Sequence, residues 1–446
     1  MPLTAPEAPR LRQAIRLPHA TAMVVGTIIG STIFVQPSAV TSLVPSVTGI
    51  TLVWLVAGLL TLLGALVCAE LASIFTQSGG VYVYLKEAFS PALGFLWGWA
   101  MFWVMHSGII AAIAVIFARY VGYFVPLGDW GIKGVAVVCI LVLSAVNYVG
   151  VNHGSTLQTA LTLAKVLAIA LMITFGFVVG SRLPVHFATG DNLDTTLTVT
   201  NFFLAVGAGL FTYGGWHMVA YNSEETVAPR KTIPRALILG TVIVTICYIA
   251  MTAAYAYVLP LSRVASSTRV AADAADALFG FGGGALMSGL VVISAFGSLT
   301  GIVLSGPRVY YAMASDGLLL RWVGHIHPKF RTPSRAILVQ AIWSAVLVTT
   351  GTYGTLFRRV IYTEWIFFCL MAIGLFVLRR RPQIARDYHV WGYPIVPAIF
   401  IVSAIAIVIN QIASDPAESF VGLSLVLLGL PVYYVTARKR RIEENT

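Results

Sequence analysis

Charge is what this sequence has least of. Only 10% of its 446 residues are Asp, Glu, Lys or Arg, where a soluble domain carries about 25%. Cysteine is nearly as scarce. The four present, Cys68, Cys139, Cys247 and Cys369, all fall inside apolar runs, where a thiol is a small filler. No disulfide framework is therefore expected, and no disulfide-linked accessory subunit. The short polar stretch from Pro126 to Lys133 holds no cysteine to tether one. The eight histidines are scattered, with no HExxH and no His/Asp/Glu cluster. That argues against a metal site, a cofactor and an intramembrane metalloenzyme. The first twenty residues lack a short apolar core with a cleavage site and instead carry Arg10, Arg12 and Arg16. They read as a retained cytoplasmic tail.

What is abundant is apolar length. Hydrophobic residues make up 58% of the chain, and the mean hydropathy is +0.87. Repeated runs of roughly 20 apolar residues identify a polytopic helical membrane protein. Twelve spans are predicted, at about 18–41, 49–76, 93–124, 133–151, 157–180, 200–223, 235–259, 284–313, 335–351, 357–378, 394–412 and 419–437, with short connections and no separate soluble domain. The basic residues sort to one side of this arrangement. Arg10, Arg12, Arg16, Lys86, Arg230, Lys231, Arg235, Arg321, Lys329, Arg331, Arg335, Arg379 to Arg381, Arg386 and Arg438 to Arg441 fall in alternate connections or tails. The other connections hold only Lys133, Arg182, Arg263, Arg269, Arg358 and Arg359. The positive-inside rule then places both termini in the cytoplasm. It also accounts for the net charge of +11 as basic loops beside anionic lipid, without nucleic acid.

Two spans are interrupted. The first contains Gly26-Thr27-Ile28-Ile29-Gly30-Ser31-Thr32-Ile33-Phe34, where a plain spanning helix would run on in Leu, Val or Ile. Glycine is a poor helix former and leaves backbone N–H and C=O groups open to a ligand. Broken backbone at membrane depth persists only where protein buries it or a wet cavity meets it. Small-residue helix packing of the GxxxG kind is the other reading of the same residues. The sixth span contains Leu210-Phe211-Thr212-Tyr213-Gly214-Gly215-Trp216. Interruptions at corresponding places in two halves are the sequence sign of an inverted repeat. Half-helix N-termini favour an anionic group and unwound carbonyls a cation, so a zwitterion such as an amino acid would satisfy both.

Val25 to Phe34 resembles the first-span signature of the amino acid–polyamine–organocation (APC) superfamily, closest to its L-type amino acid transporter branch. Phe211 to Trp216, followed by Glu224-Glu225 and Pro229-Arg230, is similar to that branch's sixth span and its exit. Ala69-Glu70-Leu71, Ser78 to Phe89, the eighth-span segments Phe296-Gly297-Ser298 and Ser305 to Tyr311, and His327-Pro328 continue the likeness. It covers most of residues 18–335 and weakens beyond.

The resemblance implies an all-α polytopic membrane protein with a LeuT-type 5+5 inverted-repeat fold and 12 transmembrane helices. Residues 18–180 and 200–378 would be the two repeats, 394–437 two additional helices, and 1–17 and 438–446 cytoplasmic tails. It implies a sodium-independent secondary transporter of amino acids in the plasma membrane, working by alternating access as an exchanger or a proton-linked symporter. Backbone N–H groups around Gly30, Ser31 and Thr32 would hold the substrate carboxylate. Carbonyls near Thr27, Ile28, Phe211 and Gly214 would accept from its ammonium. Phe211 would be an aromatic gate, Gly214-Gly215 would leave room for the side chain, and Trp216 adjoins the site. Thr32 stands where the family commonly has glycine, and His217 where many large-neutral members carry Asn.

Charges at membrane depth are costly and point to function. Lys165, in the fifth span, lies where sodium-independent family members carry a lysine whose ammonium stands in a sodium position. It would bridge the broken first span to the eighth, near Ser298 or Ser305, and proton coupling through it is a subordinate reading. Glu70 is expected to pair with a basic loop residue as an inner gate, and Glu224, Glu225 and Arg230 to make cytoplasmic closure contacts. Arg119 and Arg308 lie near span ends, where snorkelling or pairing is expected. Glu364, in the tenth span, is placed either facing a cavity or at an interface, and His217 is assigned no role. A polyamine or cationic amino-acid antiporter is the alternative within the superfamily. A membrane-embedded enzyme or sensor is the remote alternative, and no convergent catalytic cluster supports it.

Overall fold

The computed structural model describes residues 15–75, 79–149, 155–182, 198–315, 317–319, 322–330, 332–384 and 386–444. These residues form helices in the order α1 (Leu17–Ile28), α2 (Gln36–Leu43), α3 (Val47–Ile74), α4 (Val81–Ala88), α5 (Pro91–Ala100), α6 (His106–Val121), α7 (Asp129–Val149), α8 (Ser155–Val178) and α9 (Val199–Thr212). The chain continues through α10 (Pro229–Val258), α11 (Leu261–Ser266), α12 (Val270–Phe279), α13 (Phe281–Ser315), α14 (Ser334–Thr350), α15 (Tyr353–Arg379), α16 (Ile395–Ser414), α17 (Pro416–Leu427) and α18 (Gly429–Glu444). Among the described residues no strand forms; a lone bridge pairs Ile15 with Thr226. In lipid every backbone group must be satisfied within its own segment, which selects helices for these apolar runs.

Ten of these segments are long and apolar enough to cross a membrane, and the shorter apolar helices Leu17–Ile28 and Ser334–Thr350 accompany them. The chain is a multi-pass helical membrane protein. Helix starts are marked as the local chemistry requires. The side chains of Ser46, Thr198 and Asp415 accept from the backbone N–H of Gly49, Asn201 and Glu418, filling orphan donors at the first turn. Thr352 and Thr355 form a reciprocal capping box.

The run at 18–41 is interrupted as expected: it is two helices, α1 and α2, joined through a 3-10 turn at Ser31–Phe34. Two expectations need correction. The connection between α10 and α13 is not a short loop. It folds into α11 and α12, and Val270, Ala271, Ala272 and Ala274 are fully buried. Arg358 and Arg359 lie within α15 rather than before it, and Arg359 is ion-paired to Glu418 of α17. Apolar spacing could not separate the last case, because α15 starts with two turns of mixed polarity.

The third span shows how a helix irregularity is absorbed. Between α5 and α6 the backbone widens to a π-helical turn at Met101–Met105. The carbonyls that such a turn displaces need other donors. Ser107 Oγ donates to the Phe102 carbonyl at 2.6 Å and Trp343 Nε1 to the Trp103 carbonyl at 2.8 Å.

Candidate functional site at two broken helices

α1 ends at Ile28, and its last helical hydrogen bond is from the Ile29 N–H to the Val25 carbonyl at 2.8 Å. Ile29 leaves the helix with ψ 85°, Gly30 is extended at φ −97° and ψ −170°, and a 3-10 turn starts at Ser31. The N–H groups of Ser31 and Thr32 open that turn, where no preceding turn supplies a carbonyl to take them. The Ser31 hydroxyl is fully buried and, among the described residues, has no partner. A buried hydroxyl left unpaired costs about 1–3 kcal/mol, so this position gains from a polar ligand. A Cβ built on Gly30 would meet nothing closer than Thr32 Oγ1 at 3.7 Å, the Ile28 carbonyl at 3.9 Å and the Thr32 amide at 4.0 Å. A methyl group at Gly30 would therefore make only ordinary van der Waals contacts, beside the Thr32 amide and the Ile28 carbonyl.

The second break is tighter. α9 ends at Thr212, Gly215 takes φ +95°, and a 3-10 segment runs from Trp216 to Glu225. That left-handed conformation is cheap only for glycine. A Cβ on Gly215 would also sit 3.1 Å from the carbonyl oxygen of Thr27. The two breaks thus touch backbone to backbone, which brings Thr27, Ile28, Gly30, Ser31 and Thr32 together with Thr212 to Trp216.

A residue not picked out from the sequence joins them. Tyr248 of α10 is fully buried, and its hydroxyl lies 2.8 Å from the Ile28 carbonyl and 3.1 Å from the Thr212 carbonyl. A tyrosine in an otherwise apolar span was the available signal, since a buried phenol seeks a partner. Two of the carbonyls expected to face a ligand have internal donors: Ile28 also accepts from Gly30 N–H at 2.7 Å, and Phe211 accepts from Gly214 N–H at 3.2 Å. The Thr27 hydroxyl is spent on its own helix, on the Met23 and Val24 carbonyls.

Aromatic rings pack on both sides of the breaks. Phe211 is buried, with its ring centroid 5.6 Å from that of Phe357 on α15. Phe357 stacks near Tyr353, whose hydroxyl donates to Gln36 Oε1 of α2 at 2.6 Å. On the other side Trp216 packs 5.0 Å from Phe368, and His217 sits among Trp97, Trp216 and Phe368. Trp97 is therefore a buried packing residue.

Polar contacts tie the helices together at both ends. At the end where α2 finishes, Ser38 Oγ donates to the carbonyls of Ala265 and Ser267, at 3.0 and 2.6 Å, tying α2 to α11 and the residue that follows it. At the other end, rich in basic residues, Val227 N–H bonds the Ile15 carbonyl at 2.9 Å. There Glu70 is fully buried, and its principal partner is Arg379, the last residue of α15, rather than a loop residue. Arg379 meets both carboxylate oxygens, at 2.8 and 2.5 Å. The following loop adds the Val390 N–H at 2.6 Å and Arg386 at 3.9 Å. Burial and then the Glu70 charge hold the Tyr388 phenol above its ordinary value. Arg230 pairs with Asp387 at 3.2 Å, while the Glu224 and Glu225 side chains lie outside the described residues. Arg119 lies over the Tyr353 ring, 5.0 Å from its centroid, and the Arg308 side chain lies outside the described residues.

Lys165 is 3% exposed and its ammonium donates to Ser298 Oγ of α13 at 2.7 Å. Ser298 in turn donates to the Ser294 carbonyl at 3.0 Å. A link from Lys165 to the broken first span does not occur among the described residues, and the Ser305 side chain lies outside them. Among the described residues no group of three or more His, Cys, Asp or Glu could hold a metal ion. The four cysteines are free thiols.

The chain is thus a bundle of apolar membrane-spanning helices in which two interrupted members meet at their breaks. A family model described as "Amino acid permease" matches residues 15–433, and the chain belongs to that family. It is 32% identical over 434 residues to the serine/threonine exchanger SteT of Bacillus subtilis (strain 168), covering 96% of this chain and 98% of the relative. It is 31% identical to the human large neutral amino acids transporter small subunit 2, over 95% of this chain and 80% of that one. It is 30% identical to the mouse b(0,+)-type amino acid transporter 1, over 95% and 88%. These relatives are transporters, not enzymes.

Proposed function

We propose that the chain is a sodium-independent amino acid exchanger that binds its substrate's main chain at the paired breaks. The observation that carries this reading is the juxtaposition of Gly30, with the Ser31 and Thr32 amides, against the second break through Tyr248 and Gly215. The two amides would receive the carboxylate, helped by the unpaired Ser31 hydroxyl. The carbonyl edges of Thr27 and Gly214 would receive the ammonium, the Ile28 carbonyl being taken by Tyr248 and Gly30 N–H. Phe211 and Trp216 would close over the two sides of the bound molecule.

Twelve spans, with 18–180 and 200–378 as inverted repeats, follow if α1 with α2, and α14, are counted with the ten long helices. Basic residues at one end support a cytoplasmic face there, with both termini inside and the chain in the plasma membrane. The Glu70–Arg379 pair would be the inner gate, and α11 with α2 the outer one. Lys165 supports sodium independence, since its fixed ammonium already supplies a buried positive charge beside Ser298. Exchange is favoured over proton symport by the exchanger among the relatives.

The test is counterflow in proteoliposomes. Uptake of radiolabelled serine or leucine should rise several-fold when the lumen is preloaded with amino acid and should not change when sodium is replaced by choline. Sodium-dependent uptake, or uptake indifferent to internal substrate, contradicts the reading.

A further inference from the structure

Glu364, in the middle of α15, is 6% exposed and, among the described residues, has neither a hydrogen bond nor an ion pair. A carboxyl group in that position is expensive unless something polar meets it. Its direction follows from the contacts of its helix. At about 100° per residue, Phe357, Ile361 and Phe368 fall within ~40° of one line along α15. Two of them touch the second broken helix on either side of its break, Phe357 against Phe211 and Phe368 against Trp216. Tyr353, about 40° to the other side, bonds Gln36 just beyond the first break. Glu364 lies between these two directions and, along the helix, between Phe357 and Phe368. On this helix geometry it is level with the second break and directed toward it.

At the Tyr353 end of the same helix, the Gln36 side-chain nitrogen is buried without a partner among the described residues. The main-chain groups of a bound amino acid are accounted for by the two breaks, so Glu364 is free to meet what lies beyond them. We infer that Glu364 determines specificity by accepting a hydrogen bond from a donor on the substrate's side chain, a hydroxyl or an ammonium. The substrate class is then amino acids whose side chain carries such a donor, chosen over their apolar isosteres. This rests on the main-chain site proposed above and extends it.

The experiment measures uptake by the purified full chain in proteoliposomes for two matched pairs, threonine against valine and ornithine against norvaline. A site built around a buried acceptor rejects the analogue lacking the donor because the acceptor is left unpaired. The wild type should favour the donor-bearing member of at least one pair by about tenfold or more, and Glu364→Leu should bring that ratio near one. The pair that responds identifies hydroxyl or ammonium as the group read. Glu364→Gln keeps the shape and one acceptor oxygen. It should retain part of a threonine preference but lose an ornithine preference, and its monodisperse elution serves as the folding control. No preference in either pair, or a preference that Glu364→Leu leaves intact, overturns the inference. Gly30→Ala, run in parallel, separates the two layers. If it transports all four amino acids normally the main-chain site is wrong, whereas its loss of all four with an unchanged ratio in Glu364→Leu condemns only the role of Glu364.

Discussion

The two breaks look alike in sequence, each a glycine near hydroxyl and aromatic residues, yet they use glycine for different ends. At the first break Gly30 has an ordinary φ of −97° and room for a methyl group. At the second Gly215 sits at φ +95° with the Thr27 carbonyl 3.1 Å from where a Cβ would be. One glycine keeps space free beside polar backbone; the other makes a backbone path possible and lets two helices touch. The lesson is that a glycine's cost of replacement and its role in binding are separate quantities. They can be measured separately here.

Gly30→Ala breaks the comparison most sharply. The protein should fold with a melting temperature close to wild type, while uptake falls about a hundredfold or more, as expected for losing main-chain contacts worth ~3 kcal/mol. Parallel thermal unfolding and uptake measurements check it, and normal uptake would sink the site. Gly215→Ala should do the reverse. It forces a non-glycine residue into the left-handed region against a carbonyl, at about 1–3 kcal/mol, read as a lower melting temperature in detergent. Tyr248→Phe acts on both breaks at once by removing the hydroxyl they share. A loss of about 1 kcal/mol should appear in stability and as weaker substrate binding together. Thr32→Gly should be the mildest, within about twofold in uptake, because the amide rather than the side chain is proposed to act; a large gain or loss would give the side chain a role of its own.

Much of this was legible from residue order. Apolar runs located the helices to within a few residues, and the glycine-bearing stretches located both interruptions. The finer placement was not readable. Gly26 and Gly30 are equivalent in the written sequence, but Gly26 continues α1 and only Gly30 lies past its end. The reason is non-local: Gly215 and Tyr248 engage the carbonyls of Thr27 and Ile28, and neither is near them in sequence. Tyr248 itself escaped notice because a phenol that packs and a phenol that bridges are written the same way. Lys165 was conspicuous, being a charge at depth, and its contact is with Ser298, one of the two serines expected for it. Glu70 was equally conspicuous, but its partner could not be chosen among many arginines. Arg379 owes its position to the length of α15, which ends at the level of the buried carboxylate.

The shared hydroxyl of Tyr248 has a mechanical consequence. A phenol has one proton and here two carbonyls to give it to, one on each interrupted helix. If one helix swings away, the proton stays with the other, and the departure forfeits about one hydrogen bond's worth, ~1 kcal/mol, rather than a rigid weld. Tyr248 is then a swivel pin: it keeps the halves registered when closed and releases either without choosing a side.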